Sequence, residues 1–466
     1  YNGYIYNHQS LRDRLSRNGA LPAWRGHSDT ETLLACFDEW GIENSIEQCT
    51  GMFSFAVWDR STASLTLGRD RLGEKPVYYG WQGAGRGAVF LFGSELKALR
   101  AHPKFNAPIS REALCLYLRH SNVPGHHSIY EGIYKLPPAG LLTISRSRPQ
   151  ASPRTYWSGA AIASSGASRP IVLGDNELVD KLEDVLSTAV RAQMVADVPL
   201  GAFLSGGIDS SVIVSLMQAQ SAGPIKTFSI GFNETDYSEA HYARAVAKHL
   251  GTQHIELYVT PEQAMAVIAQ LPEIYDEPFA DSSQIPTFLV SQLARQHVTV
   301  SLSGDGGDEL FGGYNRYLLT TSLWPHIRSL PLYVRQSVAF LLTRLSPATL
   351  STLSQLLPGK RRWHNFGEKL HKGSAVLSSS SLSDLYCSLT SAWPDPSILL
   401  AGNTNTTCNA TEFAQGLDNL TNAELMMAMD MLSYLPDDVL CKLDRAAMAT
   451  SLETRAPFLD HNVVEL

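Results

Sequence analysis

The chain has 466 residues, 44% of them apolar, and a formal net charge of −8 at pH 7. That length predicts about three domains or two large ones, each able to fill a core. The acidic balance excludes nucleic acid as the main partner, while the lack of a long apolar run or a charged-then-apolar leader argues against membrane and secretion and predicts a cytoplasmic protein.

In the first 157 residues, the segments 53–59, 64–70 and 88–94 have strand composition and are separated by turn residues, which predicts an α+β domain with antiparallel pairing. Between them and the start lies a helix over 29–40. Leu33, Leu34, Phe37 and Trp40 follow helical spacing, Ser28 and Glu31 form a capping box, and Gly41 ends it. Cys36, three residues after Leu33, falls on the apolar side and is expected in the core. The six cysteines are dispersed, with no CxxC pair and no zinc-type histidine spacing, so reduced thiols are expected. Residues 158–175, rich in Ala, Ser and Gly at their start, read as a linker between domains 1–157 and 176–466.

Beyond it, Leu178, Leu182, Val185, Leu186, Ala189 and Val190 form one helical face. Strands at 225–231, 254–259 and 298–302 and a helix at 239–250 then alternate, which predicts a parallel sheet with ligands beyond its carboxyl ends. From about residue 317 to 420 the chain is predicted mostly helical, broken at 378–381 and at the polar stretch 402–411, and no chemistry is read there. The chain begins at Tyr1 and stops at Leu466 inside an apolar pattern, which predicts a fragment at both ends.

The stretch 198–211, VPLGAFLSGGIDSS, joins a buried strand, a glycine turn and a helix start. Gly206 and Gly207 are expected to allow positive φ and close backbone approach, so that successive N–H groups converge on a phosphate, with Ser205, Ser210 and Ser211 adding hydroxyls. Asp209 would repel an anion unless a divalent cation, magnesium, sat between them. A capped strand-to-helix turn is the plainer alternative. The loop lacks the lysine of the GxxxxGK[ST] motif and the third glycine of the dinucleotide fingerprint.

A second stretch, 298–314, VTVSLSGDGGDELFGGY, repeats this layout. Ser303 and Gly304 offer backbone contacts to a nucleotide, and Asp305, Asp308 and Glu309 offer oxygens to magnesium. The third, DEPFADSSQIP at 276–286, reads either as a loop for a substrate amino group or as a helix cap. In LPDDVLCKLDRAAMATSLETRAPFLD at 435–460, Lys442, Asp444, Arg445, Glu453 and Arg455 lie among apolar residues, and buried ion pairs are the plain reading.

SGGIDS resembles the pyrophosphate loop of ATP pyrophosphatases. With YNGYIYN, HSDTE, RDRLGEKPVYY, SGDGGDELFGGY, DEPFADSS and LDRAAMATSLETRAPFLD, nearly the whole chain resembles the glutamine-dependent asparagine synthetases. The resemblance implies an N-terminal nucleophile (Ntn) hydrolase-like antiparallel sandwich, followed by an α/β parallel-sheet ATP pyrophosphatase domain with extra helices. An ammonia tunnel would join them. The implied reaction adenylates aspartate with ATP and Mg2+, releases pyrophosphate, and attacks the intermediate with ammonia from glutamine; a homodimer is allowed. Asn2 and Gly3 resemble the oxyanion-hole pair, and Asp29 the carboxylate that holds the glutamine amino group. Asp29 also suits a first-turn helix acid.

Leu204, Ser205, Gly206, Gly207, Asp209, Ser210, Ser211, Ile230, Ser303 and Gly304 are implied for ATP and pyrophosphate. Asp209 and Asp308 are implied for the metal, and Asp305, Glu277 and Asp281 for aspartate or its intermediate. Three features depart from the pattern. Tyr4 replaces the family's glutamate, Tyr1 stands where the nucleophilic cysteine of a mature N-terminus would be, and the family's lysine beyond APFLD is not in the chain. The alternatives are a relative resembling the β-lactam synthetases, which activates another carboxylate over a degenerate glutaminase domain, or a non-catalytic nucleotide-binding module.

Overall fold

The structure is a computed structural model, described for all residues except 18–22, 233–238, 355–365, 394, 401–413, 415–416 and 418. Its first part comprises β1 (Asn2–Ile5), α1 (His8–Arg17), α2 (Asp29–Trp40), α3 (Ile42–Gln48), β2 (Gly51–Asp59), β3 (Ser64–Arg69), β4 (Tyr78–Gln82), β5 (Val89–Gly93), α4 (Leu96–Arg100), α5 (Arg111–His120), β6 (Ile133–Lys135), β7 (Gly140–Ser145) and β8 (Arg154–Thr155). These strands form two antiparallel sheets, in the orders β1-β2-β3-β7-β8 and β5-β4-β6.

Strand alternation explains why β2 carries apolar residues on both faces. Phe53 and Phe55 face α1–α3, packing with Leu11, Leu15, Leu33, Cys36 and Ile46. Ala56 turns the other way, into a cluster with Leu67, Val77, Leu142 and Phe90 that lies between the sheets. Leu96, Leu99 and Ala113 cover the outer face of the second sheet. The result is helix, sheet, sheet, helix.

Two expectations for α2 need correction. The Ser28 hydroxyl accepts from Glu31 N at 3.2 Å, but the Glu31 carboxylate accepts from Arg25 N and Gly26 N, so the capping box is one-sided. Leu34 faces solvent, 56% exposed, while Cys36 is fully buried in its place. Cys36, Cys49, Cys115 and Cys441 are free thiols. Cys387 is disulfide-bonded, against the expectation of reduced thiols throughout.

The stretch expected as a linker contains a helix, α6 (Gly159–Ser168), capped by the Ser158 hydroxyl. Its alanines explain this, since they favour helix more than its glycines oppose it. Next come α7 (Asp175–Gln193), β9 (Leu200–Phe203), α8 (Ile208–Ala219), β10 (Lys226–Phe232), α9 (Ala240–Leu250), β11 (Gln253–Val259), α10 (Pro261–Ile268), α11 (Leu271–Tyr275), α12 (Gln284–Arg295), β12 (Val300–Leu302), α13 (Gly307–Phe311) and α14 (Asn315–Ser322). Helices follow from Trp324 to Thr390 with a break after Ser378, as predicted, whereas the expected polar break at 402–411 lies outside the described residues. The last third adds a helix at Asn422–Met429, a π-helix at Asp430–Val439, a helix at Leu440–Ala449 and β13 (Glu453–Arg455).

The second sheet system is wholly parallel, in the order β11-β10-β9-β12-β13. Ala202 of β9 packs with Leu186, Val190, Ile213 and Ala243 from α7–α9. Its neighbour Phe203 joins Phe228, Leu293 and Ala447 on the opposite face. Leu178 is exposed, because α7 overhangs the sheet at its start. Strand order reverses between β9 and β12, and the loops after these two strands therefore leave the sheet side by side. That reversal is where open parallel sheets form ligand crevices.

The two parts are joined by buried charge. Lys75 meets Asp444 at 2.8 Å, Lys135 meets Glu277 at 2.9 Å, and Arg445 donates to the Ser94 carbonyl at 2.7 Å. Removing one partner of such a pair costs about 3–5 kcal/mol, because the other is left charged and dry.

Candidate active site

The loop after β9 is built around its own hydroxyls. Gly207 N donates to the Ser205 hydroxyl at 3.2 Å, Ser205 N donates to the Ser210 hydroxyl at 3.2 Å, and the Ser211 hydroxyl donates back to the Gly207 carbonyl at 2.6 Å. Gly207 is the N-cap of α8, so the helix's unpaired N–H groups open into the crevice. The two glycines differ in role, contrary to expectation. Gly206 has φ +84°, and a Cβ there would lie 2.5 Å from Ala243 N, so α9 requires this glycine. Gly207 has φ −70°, and a Cβ would meet only the Ser205 hydroxyl, at 3.2 Å.

The loop after β12 comes against the first. A Cβ on Gly304 would lie 2.7 Å from Ser210 N, and one on Gly307 would lie 2.5 Å from the Asp209 carboxyl carbon. These glycines let two acidic loops touch. Burial, then the charges of Asp308 and Asp305, push Asp209 up to about 6. Burial also raises Asp308, with Asp305 adding to the effect and Arg316 opposing it. Three expected residues, Asp209, Asp305 and Asp308, thus lie near enough for their negative charges to repel. Ser303 stands at the end of β12, its hydroxyl donating to Asp305. Leu204 is buried in the sheet core, and Ile230 is half-buried on β10.

Among the described residues, no group of three or more metal-ligating side chains converges. Asp209 and Asp308 are a donor pair, which suits a magnesium ion that keeps waters and takes phosphate oxygens for the rest of its shell. Glu309 does not join them. It is buried, accepts from the Tyr314 hydroxyl at 2.5 Å, and burial pushes it up to about 7.

Glu277, expected for aspartate or its intermediate, is engaged by other groups of the chain. Its carboxylate pairs with Lys135 and accepts from the Tyr78 hydroxyl at 3.1 Å and Ile129 N at 3.1 Å, so it ties the second part to the first. Asp281 pairs with Lys442 at 2.6 Å. Burial would raise its carboxyl, but Lys442 outweighs that and holds it down to about 2. All five charged residues singled out between 435 and 460 form ion pairs.

At the first part's edge, β1 places Asn2 and Gly3 beside α2. Gly3 has φ +133°, and a Cβ would lie 2.1 Å from the Met52 carbonyl, so no other residue fits. Asn2 Nδ2 lies 3.4 Å from the Ser94 hydroxyl. Asp29 is buried at the start of α2, accepting from Thr30 N at 2.7 Å, Ile5 N at 2.9 Å and the Tyr1 hydroxyl at 2.7 Å. Tyr4 turns toward the second part, its ring centroid 4.5 Å from the Arg455 guanidinium. Burial raises the Cys36 thiol to about 11 and raises Cys49 further, which leaves both poor nucleophiles.

Sequence reasoning missed the wall beyond Asp308, formed by Arg316, Tyr386, Tyr434 and Asp438 with Asn122. Arg316 and the paired acids of PDD at 436–438 were the available signal.

Two antiparallel sheets docked on a parallel sheet, with acidic glycine loops at its switch point, fit a two-domain glutamine amidotransferase. A family model described as Glutamine amidotransferase domain matches residues 1–157, and one described as Asparagine synthase matches residues 181–466. Among curated relatives, the putative asparagine synthetase [glutamine-hydrolyzing] 2 of Methanocaldococcus jannaschii is 36% identical over 72% of this chain and 62% of its own. Asparagine synthetase [glutamine-hydrolyzing] 1 of Bacillus subtilis is 31% identical over 100% of this chain and 68% of its own. A putative asparagine synthetase [glutamine-hydrolyzing] of Mycobacterium tuberculosis is 34% identical over 99% of this chain and 67% of its own. The chain belongs to the glutamine-hydrolysing asparagine synthetase family, and it spans about two thirds of the length of these relatives.

Proposed function

We propose that the protein makes asparagine from aspartate, ATP and ammonia released from glutamine, on an Ntn-type domain and an ATP pyrophosphatase domain divided near residues 158–175. The observation that carries this reading is the pair of loops at the β9/β12 reversal, with phosphate-type N–H groups on one and carboxylates from both. Backbone N–H groups of Ser205–Ser211 and the start of α8 hold the β- and γ-phosphates, while Ser303, Gly304 and Ile230 flank the nucleoside. Asp209 and Asp308 would hold Mg2+, which neutralises phosphate oxygens as charge moves onto the leaving group.

The β-carboxylate of aspartate attacks the α-phosphorus, the bond to the β-phosphate oxygen breaks, and pyrophosphate leaves. Ammonia then attacks the acyl carbon, AMP leaves, and the surplus proton is lost. In the first domain, Asn2 Nδ2 and Gly3 N–H stabilise the oxyanion of glutamine hydrolysis, and Asp29 orients the glutamine amino group. We assign the route of ammonia to the small pocket between the two parts, lined by Glu74, Lys135, Asp437, Cys441, Asp444 and Arg445.

The test is aspartate-dependent exchange of labelled pyrophosphate into ATP by the full-length protein. Exchange that needs aspartate is expected. Exchange that ignores aspartate and follows another acid would overturn the reading.

A further inference from the structure

Beside the acidic loops lies a cavity of about 290 Å³, at the small end of ligand sites. Its walls come from four places: the end of α5 in the first part, the 280–281 loop, Arg316 of α14, and the π-helix with the Leu382–Thr390 helix. Within a π-helix the winding is wider, and Pro436 has no N–H to give an α-helical ladder, so Tyr434 and Asp438 are both delivered to this wall.

The wall holds polar atoms that the protein leaves unused. Arg316 Nη2, Asn122 Oδ1, Asp438 Oδ1 and His120 Nε2 are each buried without a hydrogen-bond partner. Buried polar groups are nearly always paired, so four around one cavity make its wall a polar surface suited to a charged ligand. Arg316 is held in advance. Its Nε donates to Asp430 at 2.8 Å, and its guanidinium lies 4.0 Å from the Tyr314 ring centroid and 5.0 Å from that of Tyr434. Its remaining donor therefore points at a fixed place, as anion recognition requires.

The other side is acidic. Asn122 Nδ2 donates to Asp438 Oδ2 at 3.2 Å, which leaves the Asn122 Oδ1 as an acceptor, and Asp438 shares a hydrogen bond with Asp281. Burial and then the Asp281 charge push Asp438 up to about 7, so an arriving cation would relieve it. A cationic donor on the same cavity as a buried carboxylate and an unused amide oxygen is the complement of a zwitterion.

We propose that this cavity binds the α-amino-acid end of the acceptor, with Arg316 on its α-carboxylate and Asp438 and Asn122 around its α-ammonium. The assignment rests on the function proposed above and adds its specificity residues. Arg316 acts on Asp308 and Lys442 on Asp305 electrostatically, so the cavity adjoins the acidic loops and the acceptor's side-chain carboxylate points toward the nucleotide. Asn122 belongs to the first part, so the acceptor pocket is complete only when the two parts are docked.

The test uses the full-length protein with ammonia as nitrogen donor and three acids: aspartate, succinate, which lacks the α-ammonium, and β-alanine, which lacks the α-carboxylate. The wild type should use both analogues at least about a hundredfold less efficiently than aspartate, because each leaves buried charge unmatched. Arg316→Gln should raise KM for aspartate at least about tenfold and narrow the preference over β-alanine. Asn122→Ala, remote from the Asp430 ion pair, should raise the aspartate KM and narrow the preference over succinate, with KM for ATP unchanged in both. If Arg316→Gln fails to fold, the analogue series and Asn122→Ala still decide. Aspartate-dependent turnover with analogues within threefold, or with unchanged aspartate KM in Asn122→Ala, overturns the pocket alone. Absence of aspartate-dependent turnover in the wild type overturns the function on which it rests.

Discussion

The carboxylates at the β9/β12 reversal and the carboxylate of Asp29 are placed in opposite electrostatic circumstances. Asp209 and Asp308 are half-buried beside Asp305, and burial with mutual repulsion raises both. Asp29 is buried as well, but four N–H or O–H donors already reach it. Acids that repel one another hold free energy that a cation or a cation-bearing substrate releases on binding. A carboxylate already paired with donors has less to offer a ligand. Substitutions in the first region should therefore remove function, and those around Asp29 should tune it.

The largest effect belongs to the acidic loops. Asp209→Ala or Asp308→Ala should lower aspartate-dependent pyrophosphate exchange more than about a hundredfold, since charge stabilisation by a bound metal is worth several kcal/mol. Glutamine hydrolysis measured on the same samples should persist. Comparable loss of both activities would mean that the two regions are not separable in this way.

Next in size is the tether between the regions. Lys75→Met strands Asp444 in the interface and should destabilise the protein by about 3–5 kcal/mol in denaturant titrations. The paired change Lys75→Met with Asp444→Leu should recover most of that loss. If the pair is as unstable as the single variant, the interface depends on something other than this ion pair.

The two glycines of the first loop separate binding from folding. Gly207→Val should leave the melting temperature nearly unchanged and weaken Mg-ATP affinity about tenfold in calorimetry, because its side chain enters the ligand's space. Gly206→Val should instead lower the melting temperature, since its Cβ meets the α9 backbone at a positive φ. Equal behaviour of the two variants would remove the distinction.

The smallest effect is expected at the paired carboxylate. Tyr1→Phe removes one donor from Asp29 and should lower KM for glutamine a few-fold, the scale of one hydrogen bond of about 1 kcal/mol. A rise in KM would show that the Tyr1 hydroxyl contacts the substrate.

Local chemistry was legible in the sequence, and contacts between distant segments were not. SGGIDSS and SGDGGDELFGGY announce strand, turn and helix start within a few residues, so the parallel sheet and its two loops could be read directly. The difference between Gly206 and Gly207 could not, because the first is decided by α9, more than thirty residues away. DEPFADSS placed Glu277 and Asp281 four residues apart, yet Glu277 turns to Lys135 and Asp281 to Lys442. β13 escaped notice because Glu-Thr-Arg has no strand pattern and is held by pairing with β12. The cavity wall was hidden for a related reason, since Asn122, Arg316 and Asp438 meet only through domain docking and a π-helical turn.

The central claim is that the switch-point site joins the β-carboxylate of aspartate to the α-phosphorus of ATP. It is tested most directly by supplying aspartate with heavy oxygen in that carboxylate, with ATP and ammonia, and weighing the products. Transfer of one labelled oxygen into AMP, with unlabelled pyrophosphate and formation of asparagine, is the predicted result. Label in inorganic phosphate alongside ADP, or no transfer of label to any nucleotide product, would contradict it.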